Sequence, residues 1–289
     1  MKELLTDPGT TRYILEKYGI RAKKKYGQNF LIDAGVVEGI VEAADIGEDD
    51  CVLEIGPGIG TMTQLLAQSA GRVVAVEVDR SLQPVLEETV GDLPNVTVLF
   101  RDILKTDLAE VMKEYNEGRP MKCVANLPYY ITTPVIMELL KEKGCFESIT
   151  VMIQKEVAKR ICAGETDKEY GAISLAVQYY ASPKITRDVP PSCFIPRPGV
   201  YSSVLTMQAY ETPPVDAEEE LMFALIRAAF NQRRKTLVNA LSHGLACKGM
   251  TISKEDAAKA LDAMGLPRDI RGEKLSLEQF AGLSKLMKQ

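Results

Sequence analysis

The segment "VLEIGPGIGTMT", residues 52–63, joins a short apolar run to a helix-forming run through three closely spaced glycines. Glycine lets the backbone pass close to a ligand, and the amino terminus of a helix offers unpaired N–H groups. In open α/β sheets, ligands bind beyond the carboxyl ends of the strands. The segment therefore predicts a strand, a ligand-binding loop and a helix of an α/β protein.

Apolar runs of the same kind recur through the first half of the chain. They are rich in Val and Ile and apolar on both faces, as buried parallel strands are. The predicted strands are residues 51–55, 72–78, 96–100, 122–126 and 148–153. Segments that favour helix separate them, so the sequence predicts a Rossmann-like, doubly wound α/β sheet with helices on both faces.

The sequence pattern changes after residue 210. Residues 183–190 and 200–210 predict two further strands, expected to be antiparallel, and the prolines and acids of residues 211–220 indicate a linker. From Leu221 onward the pattern is helical. We therefore expect an α/β catalytic domain over residues 1–210 and a small all-helical domain over residues 211–289.

The composition of the 289-residue chain is that of a soluble globular protein, with 46% apolar and 26% charged residues. The single histidine, His243, argues against histidine-based zinc sites and Ser-His-Asp catalysis, and no metal site is predicted. The six cysteines form no C-x-x-C pair, which indicates reduced thiols. With no signal peptide and no apolar run of about 20 residues, we expect a cytoplasmic protein without a membrane partner.

The glycine spacing, with Gly56, Gly58 and Gly60, is G-x-G-x-G and differs from the G-x-G-x-x-G of dinucleotide sites. Glu77 ends the second predicted strand, where a carboxylate can accept hydrogen bonds from ribose hydroxyls. Asp102 ends the third and can accept one from an adenine amino group. Together these features favour S-adenosylmethionine, which would leave as S-adenosylhomocysteine, over a dinucleotide or a tight turn without a ligand.

Asn126 ends the fourth predicted strand and opens the sequence Asn-Leu-Pro-Tyr-Tyr. The exocyclic amine of adenine is a poor nucleophile, and the Asn126 side-chain oxygen and the Leu127 carbonyl could accept its N–H groups. Pro128 restricts Leu127 to extended dihedrals, and Tyr129 offers a flat face for a base turned out of its strand. The alternative is an ordinary strand exit with a turn proline.

Seven motifs resemble those of a known family. They are "QNFLID", "LEIGPGIGTMT", "VEVD", "RDIL", "NLPYYITTPV", "CFIPRPGVYSSV" and "AFNQRRKTL". With them the sequence resembles the ribosomal RNA adenine dimethylases over nearly the whole chain, from about Tyr18 to the end. The resemblance implies dimethylation at N6 of two adjacent adenosines in the 3′-terminal hairpin loop of 16S rRNA, within the 30S subunit or its precursor, by an enzyme expected to be monomeric.

The same resemblance implies roles for further residues. Asn29 and Leu31 would close over the cofactor beside the glycine loop, and Phe194 would face the base opposite Tyr129. Two basic runs, which alone would be interpreted as solvated faces, become candidates for rRNA phosphate contacts. Their members are Lys23, Lys24 and Lys25, and Arg233, Arg234 and Lys235 on the first turns of a predicted helix.

Two other functions remain open from the sequence. One is a 23S rRNA adenine N6-methyltransferase, because such enzymes share the catalytic motifs. Against it stand the net charge of −5 and the small-subunit character of "CFIPRPGVYSSV" and "FNQRRKTLVNAL". The other is a ribosome-assembly factor that acts mainly by binding.

Overall fold

The computed structural model describes residues 4–21, 27–244 and 251–288. The chain divides into two compact units. The first unit comprises the chain up to Ala158 together with Pro183–Glu211, and the second comprises Lys159–Ser182 and the chain from Thr212 onward. Within the described ranges, no helix is both long and apolar enough to cross a bilayer.

The first unit is built mainly of strands with helices between them. The strands, numbered along the chain, are β1 (Phe30–Leu31), β2 (Cys51–Ile55), β3 (Arg72–Glu77), β4 (Val96–Phe100), β5 (Met121–Asn126), β6 (Phe146–Gln154), β7 (Ala181–Val189), β8 (Phe194–Ile195) and β9 (Ser202–Ala209). The helices are α1 (Pro8–Lys17), α2 (Ala34–Ala43), α3 (Thr61–Ser69), α4 (Gln83–Thr89), α5 (Leu108–Asn116) and α6 (Thr132–Lys141). The five apolar runs of the first half form β2 to β6.

The large sheet has the strand order β4-β3-β2-β5-β6-β9-β7. Strands β2 to β6 are parallel to one another, and β9 runs antiparallel to β6. In the centre, Leu53 lies opposite Val74 on one side and Cys123 on the other. The predicted Rossmann-like α/β fold is confirmed, with a mixed sheet because the late strand is antiparallel.

Apolar side chains cover both faces of this sheet. Val52 and Val124 belong to a core cluster with Val37 and Ile40 of α2. The next residue along β2, Leu53, points to the opposite face, because side chains alternate along a strand. Leu53 is also fully buried. Burial on both faces explains why the parallel strands have nearly continuous apolar sequences.

Two very short strands form a second sheet that the sequence did not predict. Strands β1 and β8 pair antiparallel, with Phe30 opposite Ile195 and Leu31 opposite Phe194. The pair joins the QNFLID segment to the FIPRP segment, which are far apart in the chain. As a result, residues near both chain positions are held at one place in the first unit.

The second unit is helical. Its helices are α7 (Lys155–Cys162), which begins in the first unit, α8 (Ala172–Tyr180), α9 (Glu219–Asn231), α10 (Leu237–Gly244), α11 (Lys254–Ala263) and α12 (Leu277–Leu286). Helices α9 to α12 form the all-helical part expected after the linker.

The segment 159–182 was expected in the catalytic domain, but the structure assigns it to the helical unit. Aromatic packing explains this difference. The Tyr179 ring meets Phe223 of α9 edge-on at 5.3 Å between centroids, and Tyr170 meets Phe230 at 5.8 Å. These contacts depend on tertiary packing and leave no periodic signal in the sequence.

Candidate active site

The carboxyl ends of β2, β3, β4 and β5 border one cavity of about 430 Å³. Because these strands are parallel, their ends lie at the same edge of the sheet. Ten predicted site residues line the cavity: Asn29, Leu31, Gly56, Gly58, Glu77, Asp102, Asn126, Leu127, Pro128 and Tyr129. The geometry therefore brings together the residues that sequence reasoning had assigned separately to cofactor and base.

The glycine loop leaves β2 in a backbone conformation that favours glycine. The φ angles of Gly56, Gly58 and Gly60 are +70°, +62° and +94°. A Cβ atom at Gly60 would lie 2.8 Å from Val90 Cγ1, and one at Gly58 would lie 3.5 Å from the Phe30 ring. Both the dihedrals and the close packing therefore require glycine at Gly60.

Glu77 is almost fully buried and braces the glycine loop. Its Oε2 accepts a hydrogen bond from the Gly58 N–H at 3.2 Å, and its Oε1 accepts one from the Asp79 N–H at 2.8 Å. Burial raises the pKa of the Glu77 carboxyl, and these two hydrogen bonds partly oppose the rise. Each carboxylate oxygen keeps a second lone pair, so the group can also accept from a ligand hydroxyl.

Asp102 lies at the carboxyl end of β4, at the start of a short 3₁₀ turn. Its Oδ1 accepts a hydrogen bond from the Leu104 N–H at 3.1 Å. Its Oδ2 is 4.0 Å from the Lys105 ammonium, and the side chain remains 40% exposed. One oxygen thus fixes the side chain, while the other can accept from a ligand amine.

Asn126 connects the end of β5 to the amino-terminal segment. Its Nδ2 donates to the backbone oxygen of Asn29 at 3.2 Å, which orients the amide. Across the described part of the chain, no donor occupies the Asn126 Oδ1 or the Leu127 carbonyl oxygen. The structure thus leaves two adjacent acceptors at the cavity wall.

The residues after Leu127 hold these acceptors in place. The Leu127 N–H donates to the Met152 oxygen at 3.1 Å, and the Pro128 oxygen accepts from Ile131 N–H at 3.2 Å. The Tyr129 hydroxyl lies 2.9 Å from Ser202 Oγ at the start of β9. Hydrogen bonds from two neighbouring strands therefore restrain the segment that carries the two acceptors and the aromatic ring.

Phe194 is placed differently from the expectation. Its side chain is only 2% exposed and belongs to the core cluster that also contains Leu31, Val36 and Val189. It does not line the cavity. In this conformation the ring packs within the core cluster and is not exposed for stacking on a base.

Glu54, in the middle of β2, lines the cavity and was missed by the sequence reasoning. It is fully buried, and among the described residues neither carboxyl oxygen has a hydrogen-bond partner of good geometry, whereas the neighbouring Thr63 hydroxyl acts to lower its pKa. Burial raises the pKa of the Glu54 carboxyl to about 8, so the group is largely protonated at neutral pH. The sequence signal that could have identified Glu54 was an acidic residue inside an otherwise apolar strand.

The predicted RNA-contacting residues differ in their surroundings. Lys23, Lys24 and Lys25 lie outside the described residues. Arg233 donates from Nε to Glu273 Oε2 at 3.1 Å and from Nη2 to the Tyr170 oxygen at 3.1 Å.

Arg234 and Lys235 are exposed and form no ion pair within the described part of the chain. Together with Arg233 they occupy a turn between α9 and α10, not the first turns of a helix as expected. Arg233 is therefore held by two hydrogen-bonding partners, whereas the side chains of Arg234 and Lys235 are open to solvent.

Comparison with known proteins identifies relatives over almost the full length. The Ribosomal RNA adenine dimethylase family matches residues 19–285. "Ribosomal RNA small subunit methyltransferase A" of Alkaliphilus metalliredigens is 51% identical over 282 residues, which cover 97% of each chain.

Two solved structures are similar in fold. A dimethyladenosine transferase from Plasmodium falciparum has a TM-score of 0.71 and 25% identity, and covers 88% of this chain and 95% of its own. The 23S rRNA methyltransferase ErmE has a TM-score of 0.66 and 24% identity, with coverage of 90% and 100%. The extent of the sequence match shows that the chain belongs to the ribosomal RNA adenine dimethylase family.

Proposed function

We propose that this methyltransferase binds S-adenosylmethionine in the cavity and dimethylates N6 of two adjacent adenosines in the 3′-terminal hairpin loop of 16S rRNA. The observation that carries the proposal is the pair of unoccupied acceptors, Asn126 Oδ1 and the Leu127 carbonyl, beside the glycine loop. This arrangement matches the needs of an amine nucleophile.

The cavity suits a methyl donor without phosphates. Its lining includes the carboxylates of Glu77 and Asp102, the largely protonated carboxyl of Glu54, and one guanidinium, Arg101. Such a lining is unfavourable for a pyrophosphate and favourable for a ligand with hydroxyl, amino and cationic groups. When bound, S-adenosylmethionine supplies the methyl group and leaves as S-adenosylhomocysteine. Glu77 would hold the ribose hydroxyls, and Asp102 would accept from the adenine amine.

The residues around Asn126 prepare the target amine. Its lone pair is delocalised into the adenine ring, so the amine must be oriented with its N–H groups bent from the ring plane. Asn126 Oδ1 and the Leu127 oxygen accept these N–H groups and stabilise the positive charge that develops on N6. Tyr129, held by Ser202, offers a face for stacking. The proton then leaves to water, and no side-chain base is required.

The direct test is mass spectrometry of nucleosides from small-subunit particles that lack dimethyladenosine, after incubation with enzyme and methyl donor. Four added methyl groups on two adjacent adenosines are expected per particle. Naked 23S rRNA provides the comparison, and the proposal fails if that RNA is the preferred acceptor. The curated relative at 51% identity favours the small-subunit substrate, whereas the ErmE similarity shows only the shared fold.

We further propose that Arg234 and Lys235 contact rRNA phosphates. Their exposure and lack of ion-pair partners in the described chain support this role. The acidic total charge of −5 argues against strong binding of RNA in general. Binding is therefore expected to depend on the structured particle.

A further inference from the structure

The edge of the sheet that carries the cavity continues beyond β5. Strands β5 and β6 are parallel, with Asn126 opposite Met152, so the carboxyl end of β6 lies at the same edge. Strand β9 is antiparallel to β6, with Gln154 opposite Ser202, so the beginning of β9 lies there too. Lys155 and Tyr201, the residues next to this last pair, therefore border the catalytic edge.

Tyr201 presents an aromatic ring at this edge, with 53% of the residue exposed. The Lys155 N–H donates to the Tyr201 oxygen at 3.0 Å, which anchors the backbone under the ring. The Lys155 ammonium lies 5.8 Å from the ring centroid. An exposed ring with a fixed backbone and a cation beside it is a typical platform for stacking of a flat ligand.

The charge beside the ring is already balanced. Lys155 forms an ion pair with Asp188, and Asp188 Oδ1 accepts a hydrogen bond from Ser203 Oγ at 2.6 Å. A phosphate bound by Lys155 would also lie close to the Asp188 carboxylate, so repulsion would offset most of the attraction to the lysine. A nucleobase is flat and uncharged, and it suits the exposed ring better.

The exposed Tyr201 ring is adjacent in sequence to a residue that contacts the segment carrying Tyr129. Ser202, which follows Tyr201, is the residue whose hydroxyl contacts the Tyr129 hydroxyl. Strands β5 and β9 are separated only by β6, so the two aromatic positions start from strands about 10 Å apart. This separation is within the reach of neighbouring nucleotides in an unpaired RNA loop.

We infer that Tyr201 stacks on a nucleobase adjacent to the adenine bound at Asn126. The inference rests on the proposed function, because it requires a single-stranded RNA loop at the cavity. Unpaired loop bases are recognised in this way, by stacking on exposed aromatic rings. The site would hold the neighbouring base while the target base enters the cavity, and Tyr201 would act in substrate binding without touching the reacting atoms.

The chain offers a matched control at the other end of the same strand. Tyr210 follows β9, is 41% exposed and lies at the opposite edge of the sheet from the cavity. Because both tyrosines are exposed, replacing either should leave the core intact. Calorimetric binding of S-adenosylhomocysteine should be unchanged in both variants and serves as the folding control.

The experiment measures single-turnover methylation of undermethylated small-subunit particles over a range of particle concentrations. We expect Tyr201→Ala to raise the half-saturating particle concentration by about 5- to 150-fold, which is the loss of one stacked base. Tyr201→Phe and Tyr201→Trp should keep the wild-type value, Tyr201→Leu should behave like Tyr201→Ala, and Tyr210→Ala should have no effect.

The possible failures can be told apart. If the wild-type enzyme leaves the particles unmodified, the proposed function is wrong and the inference falls with it. If the wild type methylates them while Tyr201→Ala matches Tyr210→Ala, only the stacking site is wrong. A loss in Tyr201→Ala that Tyr201→Leu fully restores would also overturn it, because that pattern reports apolar bulk and not a ring.

Discussion

In the proposed mechanism the chemistry depends on Asn126, because its amide would serve two functions. Its Nδ2 donates to the Asn29 oxygen, and its Oδ1 would accept from the target amine. The orientation of the oxygen is therefore set by a contact with Asn29, which also lines the cavity. A substitution at this position removes an acceptor and loosens that contact at the same time.

We expect Asn126→Ala to reduce single-turnover methylation by about 10²–10³, the usual effect of removing one preorganised group that meets developing charge. Cofactor affinity should fall only modestly, because the Asn29 contact is one neutral hydrogen bond worth about 0.5–1.5 kcal/mol. Tyr129→Phe keeps the ring and should retain most activity. Calorimetry separates the two effects, and turnover of Asn126→Ala within a few-fold of wild type would remove this residue from the mechanism.

Glu54 gives a prediction about stability at different pH values. Its pKa is about 8 in the folded protein and 4.5 is its ordinary value, so the folded state keeps a proton that the unfolded state releases between these values. The associated stability is fully present below about pH 4.5 and is lost as the pH rises to about 8. The slope approaches about 1.4 kcal/mol per pH unit.

Glu54→Gln should remove this slope, because glutamine does not titrate. Because wild type loses this stability and the variant does not, we expect the unfolding temperature of the cofactor-free variant to rise progressively relative to that of cofactor-free wild type from pH 5 to pH 8. Above pH 8 the difference should level off. If the two proteins keep a constant difference in unfolding temperature over this range, Glu54 is not buried and protonated as described.

At the scale of elements, the turn from β2 into α3 is expected to tolerate little substitution. Gly60→Ala combines a φ of +94° with a Cβ that would be 2.8 Å from Val90 Cγ1. We expect a loss of about 2–5 kcal/mol in the free energy of unfolding, from backbone strain plus overpacking. Denaturant unfolding followed by circular dichroism measures it.

Gly144→Ala is the matched control for that experiment. Gly144 has a φ of +79°, but nothing lies within 4 Å of a Cβ built there. Gly144→Ala should lower the free energy of unfolding by the backbone strain alone, about 1–2 kcal/mol. Equal losses in the two variants would show that contact with Val90 contributes nothing.

Local sequence predicted the elements whose signals are local. The strands β2 to β6 follow from Val- and Ile-rich runs, and Glu77, Asp102 and Asn126 follow from their positions at strand ends. The pairing of β1 with β8 is different, because a two-residue strand has no periodicity and its partner is far away in the chain. The burial of Phe194 and the membership of residues 159–182 in the helical unit depend on the same kind of distant packing.

At the scale of the whole molecule, charge is distributed unevenly. The chain carries a net charge of −5, yet Arg233, Arg234 and Lys235 are consecutive. Of these three, Arg233 is bound to Glu273 and to the Tyr170 oxygen. These three residues look alike in the sequence, but Arg233 takes part in packing contacts and the other two are exposed. This difference depends on the tertiary structure of the second unit.

Reversing the two exposed charges, with Arg234→Glu and Lys235→Glu, should weaken binding to small-subunit particles and leave cofactor affinity unchanged. Each lost phosphate contact should reduce the salt slope of log K by about 0.7–0.9. Filter binding over a salt series measures this. Arg233→Glu should behave differently and lower the unfolding temperature, because it places a second carboxylate beside Glu273. If the salt slope of the double variant is unaltered, Arg234 and Lys235 are only solvent-exposed charges and do not contact phosphates.

The pairing of β1 with β8 has a thermodynamic consequence. Leu31 lines the cavity, and its partner strand leads through the following loop to Tyr201. Under the two proposals above, a change of free energy in the β1–β8 pair would affect both sites, so we expect the methyl donor and the RNA to bind with a coupling between them. Such coupling is reciprocal: whatever factor bound RNA adds to the affinity for the donor, the donor must add to the affinity for RNA.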